Sequence, residues 1–205
     1  MPTSRSYGDA CTIARALDVV GERWALLVVR ELLLGPQRFS DLRRALAGAS
    51  SNMLTDRLRE LEANGVVARR RLPAPAASSV YELTPSGREL EPILLALGNW
   101  GGRFAVPAPD HLSATSVLLY LRGSRRPDPG TVYRIQLDDQ VWTVRTVDTR
   151  LEVEPGPPAV PDAGLRTDPA TLNALLSDPT GLKSAVAAGT ASVTGDEAAL
   201  LRLLT

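Results

Sequence analysis

The sequence predicts an α+β chain in two parts: a mostly helical N-terminal part carrying one two-stranded hairpin, and a C-terminal α/β part in which a sheet is covered by helices. Two patterns and a break between them predict this. Apolar residues recur at helical spacing through most of the first hundred positions, and alternation with a period of two sets in near residue 131. The proline-bearing VPAP from Val106 to Pro109 lies between. The expected boundaries are 1–105 and 112–205, with 106–111 as linker. At 205 residues and 44% hydrophobic content, the chain has enough apolar side chain to pack a core in each part.

Cys11 to Val20 opens the chain as a helix, with Ile13, Leu17 and Val20 apolar. Glu22 to Leu34 is almost continuously apolar in WALLVVRELLL, so it belongs in a core, and Gly35-Pro36 ends it. Phe39 begins a short amphipathic helix, FSDLRRAL. In the next, near Ser51 to Asn64, Leu54, Leu58 and Leu61 form an apolar stripe while Asn52, Thr55, Asp56 and Arg59 project from the opposite face. Ser50 or Ser51 offers an N-cap oxygen, and Asn64-Gly65 tolerates the left-handed conformation at which such a helix stops.

Val66 to Arg71 reads as a strand leaving that helix and Val80 to Leu83 as a strand returning, with the proline-rich RLPAPAASS at the tip. Two helices followed by an arginine-flanked hairpin form a winged helix. In that arrangement the second helix enters the major groove and the wing meets backbone phosphates. After the wing, Thr84-Pro85 supplies a cap and a first-position proline for one long amphipathic helix with Leu90, Ile93, Leu94, Leu97 and Trp100 on one face. The first and last helices either pack within the domain or form a homodimer interface that places two reading helices on the halves of a palindrome.

Composition removes other classes. No 18-residue apolar run and no leader pattern occur, so a cytoplasmic protein without membrane association is expected. A single cysteine, Cys11, excludes an internal disulfide, and His111 is the lone histidine, so Cys/His zinc sites cannot be built within one chain. No cofactor is expected. Residues 1–105 hold 14 Arg against 11 acids, and residues 106–205 hold 9 Arg plus Lys against 12 acids. The neutral total therefore conceals a basic half that coincides with the winged-helix pattern. A Ser-His-Asp or Cys-His engine would have to use His111, which has no nucleophile-elbow pattern near it, and no phosphate-binding glycine loop is present. An enzyme is not expected.

In the second half, LSATSVLLYLRG is a helix or a strand. TVYRIQLDDQVWTVRTVDTRLEVEPG alternates as a meander turning at Asp138-Asp139, with Tyr133, Ile135, Leu137, Trp142 and Val144 on its apolar side. PGPPAVPDAG reads as a loop. TDPATLNALLSD, PTGLKSAVAAGT and GDEAALLRLL read as helices, with a short strand, Ala191 to Val193, between the last two.

The segments ACTIARALDVVGERWALLVVRELLLGPQRFSDLRRAL, SNMLTDRLRELEANGVVARR and YELTPSGRELEPILLALGNWG closely resemble the HxlR-type winged-helix regulators of bacteria, over Tyr7 to Gly102. The resemblance implies a dimeric, sequence-specific transcription factor on double-stranded operator DNA, often a repressor responding to a chemical signal. It implies base-edge contacts from Asn52, Thr55 and Arg59, and phosphate contacts from Ser50 and Ser51 at the helix N-terminus. Arg38, Arg43, Arg69, Arg70 and Arg71 are further phosphate candidates. It implies a dimer surface built from Ile13, Leu17, Leu90, Leu94, Leu97 and Trp100. Arg57 lies nearer the leucine stripe, so a pair with Glu60 or Glu62 competes with DNA contact. Asp56 either accepts from cytosine or orients Arg59; both stay open. Some members of the family sense electrophiles or oxidants through a cysteine at the position of Cys11; the alternative is a small structural residue, and Thr12 stands where members usually carry proline.

TDPATLNALLSDPTGLKSAVAAGTASVTGDEAALLRLL resembles the C-terminal part of sterol carrier protein type 2-like domains, over Leu112 to Thr205. That resemblance implies a helix-covered sheet enclosing a hydrophobic small-molecule effector, with Tyr133, Ile135, Trp142, Val144, Leu172 and Leu176 lining or covering the site. The alternatives are a filled core serving structure alone, or a hydrophobic-ligand carrier whose first domain is only a scaffold.

Overall fold

The computed structural model describes residues 6–72, 78–104, 111–124, 129–148 and 150–205, and the chain separates into two compact units, Met1–His111 and Leu112–Thr205. Most of the wing tip and the VPAP stretch fall outside the described residues. Among those described, no helix is long and apolar enough to cross a membrane.

The first unit begins with α1 (Thr12–Val20) and α2 (Ala25–Leu32). The expected helix from Glu22 starts three residues late because Trp24 takes a left-handed conformation, φ 78°, as its N-cap. A strand of two residues, β1 (Gln37–Arg38), leads into α3 (Phe39–Ala45). The reading-helix candidate is α4 (Ser51–Ala63). Ser50 caps it by accepting from the Met53 amide at 3.3 Å. Gly65, at φ +69°, turns the chain out so that the Val66 N–H reaches back to the Leu61 carbonyl at 2.9 Å. Val66 is therefore spent on terminating the helix and does not join the strand that was expected to include it.

The wing consists of β2 (Val67–Arg71) and β3 (Ser79–Leu83), paired antiparallel with Arg69 opposite Tyr81. β1 adds to the other edge of β3, so the sheet order is β1-β3-β2 and the hairpin is anchored as a three-stranded sheet. The expected long helix after Thr84 is two helices, α5 (Pro85–Arg88) and α6 (Glu91–Gly101). Pro92 explains the break: it has no amide to offer the Arg88 carbonyl, and its ring would collide with it. The core joins Val28, Val29 and Leu32 of α2, Leu42 of α3, the Leu54, Leu58 and Leu61 stripe of α4, and Val67 and Leu83 of the wing.

The second unit opens with α7 (Ala114–Ser124), so LSATSVLLYLRG resolves as helix. β4 (Val132–Leu137) and β5 (Gln140–Val147) form a hairpin turning at Asp138, which adopts φ +54°, and β6 (Arg150–Pro155) continues it. The stretch expected to end as loop yields β7 (Ala163–Thr167), which pairs parallel with β4 in the middle of the sheet. Gly164 permits that position: a Cβ there would stand 2.5 Å from Thr194 Oγ1. Then come α8 (Pro169–Ser177), a 3-10 turn (Pro179–Gly181), α9 (Leu182–Ala187), β8 (Ser192–Gly195) and α10 (Glu197–Leu204). β8 lies one residue beyond the expected Ala191 start, and the sheet order is β6-β5-β4-β7-β8. One sheet face carries the alternating apolar residues, and α7 packs on β6 while α10 packs on β7.

Candidate nucleic-acid interface

Burial of the leucine stripe turns one side of α4 outward. Asn52, Asp56 and Arg59 are exposed, and the Arg59 side chain is 71% accessible. Its guanidinium stands 3.7 Å from the Asp56 carboxylate, a loose pair one turn apart on the solvent side. Thr55 is half-buried, and its hydroxyl donates to the Ser51 carbonyl at 2.8 Å, leaving its oxygen lone pairs and methyl group for other partners. Arg57 is the contrast. Only 14% exposed, it pairs with Glu60 at 2.5 Å and stands 3.8 Å from Glu22, so it faces into the unit and away from solvent.

The start of α4 gathers donors. Ser50 and Ser51 precede amides that have no partner inside the helix, and such amides with the helix dipole favour an anion. The Arg43 guanidinium, from α3, donates to the Ser51 hydroxyl, bringing a cation to the same end. Met53, 41% exposed on this first turn, was not singled out from the sequence, because it lies off both the polar face and the leucine stripe. Its exposure adds an apolar surface suited to a base methyl group.

The sheet sorts the wing arginines by face. Across β1-β3-β2, Arg38, Val80 and Arg70 align in one row, so two arginine stems flank a buried valine with their charged ends outward. Arg70 is also paired with Glu82 at 3.1 Å. On the opposite face Arg69 lies over the Tyr81 ring, 5.9 Å from its centroid, and donates to Ser79 Oγ at 3.3 Å. Arg71 is exposed and has no side-chain partner among the described residues. These pairings grade the arginines in a way their run in sequence does not.

Residues 19–108 match the family described as HxlR-like helix-turn-helix. The HTH-type transcriptional regulator YvaP of Bacillus subtilis is 39% identical over 94 residues, which is 46% of this chain and 87% of YvaP. The chain belongs to the HxlR-like helix-turn-helix family. YodB, an HTH-type transcriptional regulator of the same organism, is 34% identical over 92 residues, covering 45% of this chain and 82% of YodB. Among solved structures, the redox regulator HypR in its oxidised form is 36% identical, with a TM-score of 0.45 over 47% of this chain and 100% of HypR. The HxlR-like match lies within the first compact unit, and the molecule is a transcriptional regulator of a DNA-binding class.

The remaining candidates are placed as follows. On α1, Ile13 and Leu17 are exposed, Ile13 by 69%. On α6 no residue is buried: Ile93, Leu97 and Trp100 face solvent, and Trp100 stacks edge-on with Phe104 at 4.8 Å. Leu90 and Leu94 instead pack on the core of the HxlR-like unit. In the second unit Tyr133, Ile135, Trp142, Val144, Leu172 and Leu176 are all buried, and the Tyr133 hydroxyl donates to the Ala199 carbonyl at 3.2 Å. His111, in the first unit, places Nε2 2.9 Å from the Ala45 carbonyl. Among the described residues no group of three His, Cys, Asp or Glu is arranged to hold a metal.

Cys11 is the exposed N-cap of α1, and the amides of Ala14 and Ile13 at the helix start hold its thiol below the ordinary range. Iodoacetamide alkylation followed against pH is therefore expected to show a lower midpoint in the folded protein than in the urea-unfolded chain. A midpoint at or above that of the unfolded chain would exclude an activated thiolate here.

Proposed function

We propose that this protein is a homodimeric, sequence-specific regulator, a repressor, whose α4 helices read the two halves of a palindromic operator. The observation that carries the reading is the geometry of α4: a leucine stripe seated in the core, a polar face left to solvent, and Arg43 joined to its first turn. Asn52, Thr55 and Arg59 take the base edges, and Ser50, Ser51 and Arg43 a phosphate at the helix start. Arg38, Arg69, Arg70 and Arg71 take phosphates along the wing, with Arg71 exposed and without a side-chain partner among the described residues and Arg70 sharing its charge with Glu82. The exposed Ile13, Leu17, Leu97 and Trp100, with Ile93 and Phe104 beside them, form the dimer surface. These apolar side chains are left exposed by the described residues, and a contiguous exposed apolar area of this kind marks an interaction surface.

The test is binding to the DNA upstream of the protein's own gene against a scrambled duplex at two salt concentrations. Arg59→Ala is expected to cost about 1–3 kcal/mol on the native duplex and to relax selectivity at one base pair per half-site. Arg71→Ala should weaken both duplexes alike and flatten the salt dependence by about one ion. Equal losses on both duplexes for both variants would refute this division.

The second unit is read as a sterol-carrier-like effector domain that binds a hydrophobic small molecule between the apolar sheet face and α8. Binding there lowers operator affinity by a coupling free energy of about 1–3 kcal/mol. Mass spectrometry of the denatured, freshly purified protein is expected to release such a molecule, and adding it back should weaken the operator complex. A protein that releases none, and whose DNA binding no hydrophobic metabolite alters, has a C-terminal unit that serves structure alone.

A further inference from the structure

The four-residue turn between α1 and α2, Gly21-Glu22-Arg23-Trp24, meets α4 at one place and the connection that leads into it at another. Trp24 is held at φ 78°, ψ −16°, a conformation that bulky side chains rarely adopt and that persists only where surrounding contacts impose it. Its ring lies against Gly48, in the connection that leads into α4, so closely that a Cβ on Gly48 would stand 2.9 Å from Cη2. The Arg23 guanidinium covers the ring at 5.4 Å from the centroid. Two residues back, the Glu22 carboxylate stands 3.8 Å from Arg57, the side chain of α4 that faces into the unit and is held by Glu60. Gly21 closes α1 so tightly that a Cβ there would stand 2.5 Å from the Leu17 carbonyl oxygen, which leaves the turn no slack.

We infer that this turn is a bracket that sets the position of α4 along and about its own axis, with Trp24 and Glu22 as positioning residues for DNA reading. The leucine stripe fixes the depth of α4, but apolar burial is non-directional and leaves sliding and rotation loosely determined. The ring on Gly48 and the Glu22–Arg57 pair act at the approach to the helix and at its second turn, where they restrict both. Because the turn is also the end of α1, a displacement of α1 reaches α4 through it as well as through the direct packing of the two helices. This deepens the DNA-reading assignment and rests on it, since α1 carries Ile13 and Leu17 of the proposed dimer surface.

The experiment compares wild type with Gly48→Ala, Trp24→Phe, their combination, and Glu22→Gln. The probes are a duplex enriched from a random-sequence pool by the wild-type protein and a random duplex. Gly48→Ala, which drives a methyl group into the ring, is expected to weaken the enriched duplex about 10-fold and the random one less than about 2-fold. Adding Trp24→Phe removes the atoms it strikes and should restore most of the loss. Glu22→Gln, at a half-exposed carboxylate, should give a smaller loss of about 3-fold with the same selectivity.

Hydrogen exchange on the DNA-free protein supplies a second readout: Met53 and Leu54 amides should exchange faster in Gly48→Ala, with the wing amides unchanged. Additive losses in the combined variant, equal losses on both duplexes, or unaltered exchange at α4 would overturn the bracket. A wild type that enriches no duplex would defeat the DNA-reading assignment, and the exchange measurements would still decide the bracket.

Discussion

On the proposed dimer reading, replacing Leu97 and Trp100 together by glutamate is expected to give a monomer that has lost about 100- to 10,000-fold of its affinity for a two-half-site operator, the advantage that linking two modules confers. Both side chains are exposed on α6, a helix rich in apolar residues of which none is buried. An exposed indole such as that of Trp100 is a frequent anchor of protein interfaces, and a carboxylate there or at Leu97 would be buried without a partner on association. Because neither residue belongs to the core of the unit, thermal unfolding should move little. Sedimentation velocity together with operator titration reads both effects. A double variant that stays dimeric and binds normally would place the interface elsewhere.

Leu54→Ala is expected to destabilise the HxlR-like unit by about 2–5 kcal/mol, a large part of the roughly 5–15 kcal/mol that holds a domain folded. Leu54 is fully buried on the first turn of α4 among Leu58, Leu61 and the α2 valines. Truncation leaves a cavity under the residues that face outward, so loss of stability and loss of specific DNA binding should appear together. Urea denaturation followed segment by segment with hydrogen exchange should show the change in the first unit, whose core is its own. A loss below about 1 kcal/mol would mean that α4 is seated by something other than its leucines.

Local chemistry made α4 legible. Its leucine period, its serine cap and its Asn64-Gly65 stop are all properties of adjacent residues, and the structure places the helix at Ser51–Ala63 with Ser50 as cap. The Asp138 turn and the apolar face of β4 and β5 were legible for the same reason. Arg57 was open between DNA and a carboxylate three to five positions away, and the fold brings it to Glu60, a pairing within helical reach, with Glu22 added from another element.

Where sequence reasoning failed, the cause lay at a distance. β1 has two residues and exists because Tyr81 and Val80 of β3 offer it a partner. β7 carries too little apolar alternation to be recognised and is a strand because it lies beside β4, with Gly164 making room. Pro92 did signal its helix break, but the helical period on either side masked it. The wing arginines read as one basic run, and only strand register separates Arg70, facing Glu82, from Arg69, lying on Tyr81.

The sequence by itself determined the helix-turn-helix family, the limits of α4 and which of its faces is polar, because each depends on residues within a few positions of one another. Only the tertiary structure decided which arginines are already paired, which apolar residues of α6 remain uncovered, and that Trp24 is held left-handed against Gly48. Those outcomes depend on which distant elements come to lie side by side, and neither side-chain pairing nor backbone strain is encoded in the spacing of a single segment.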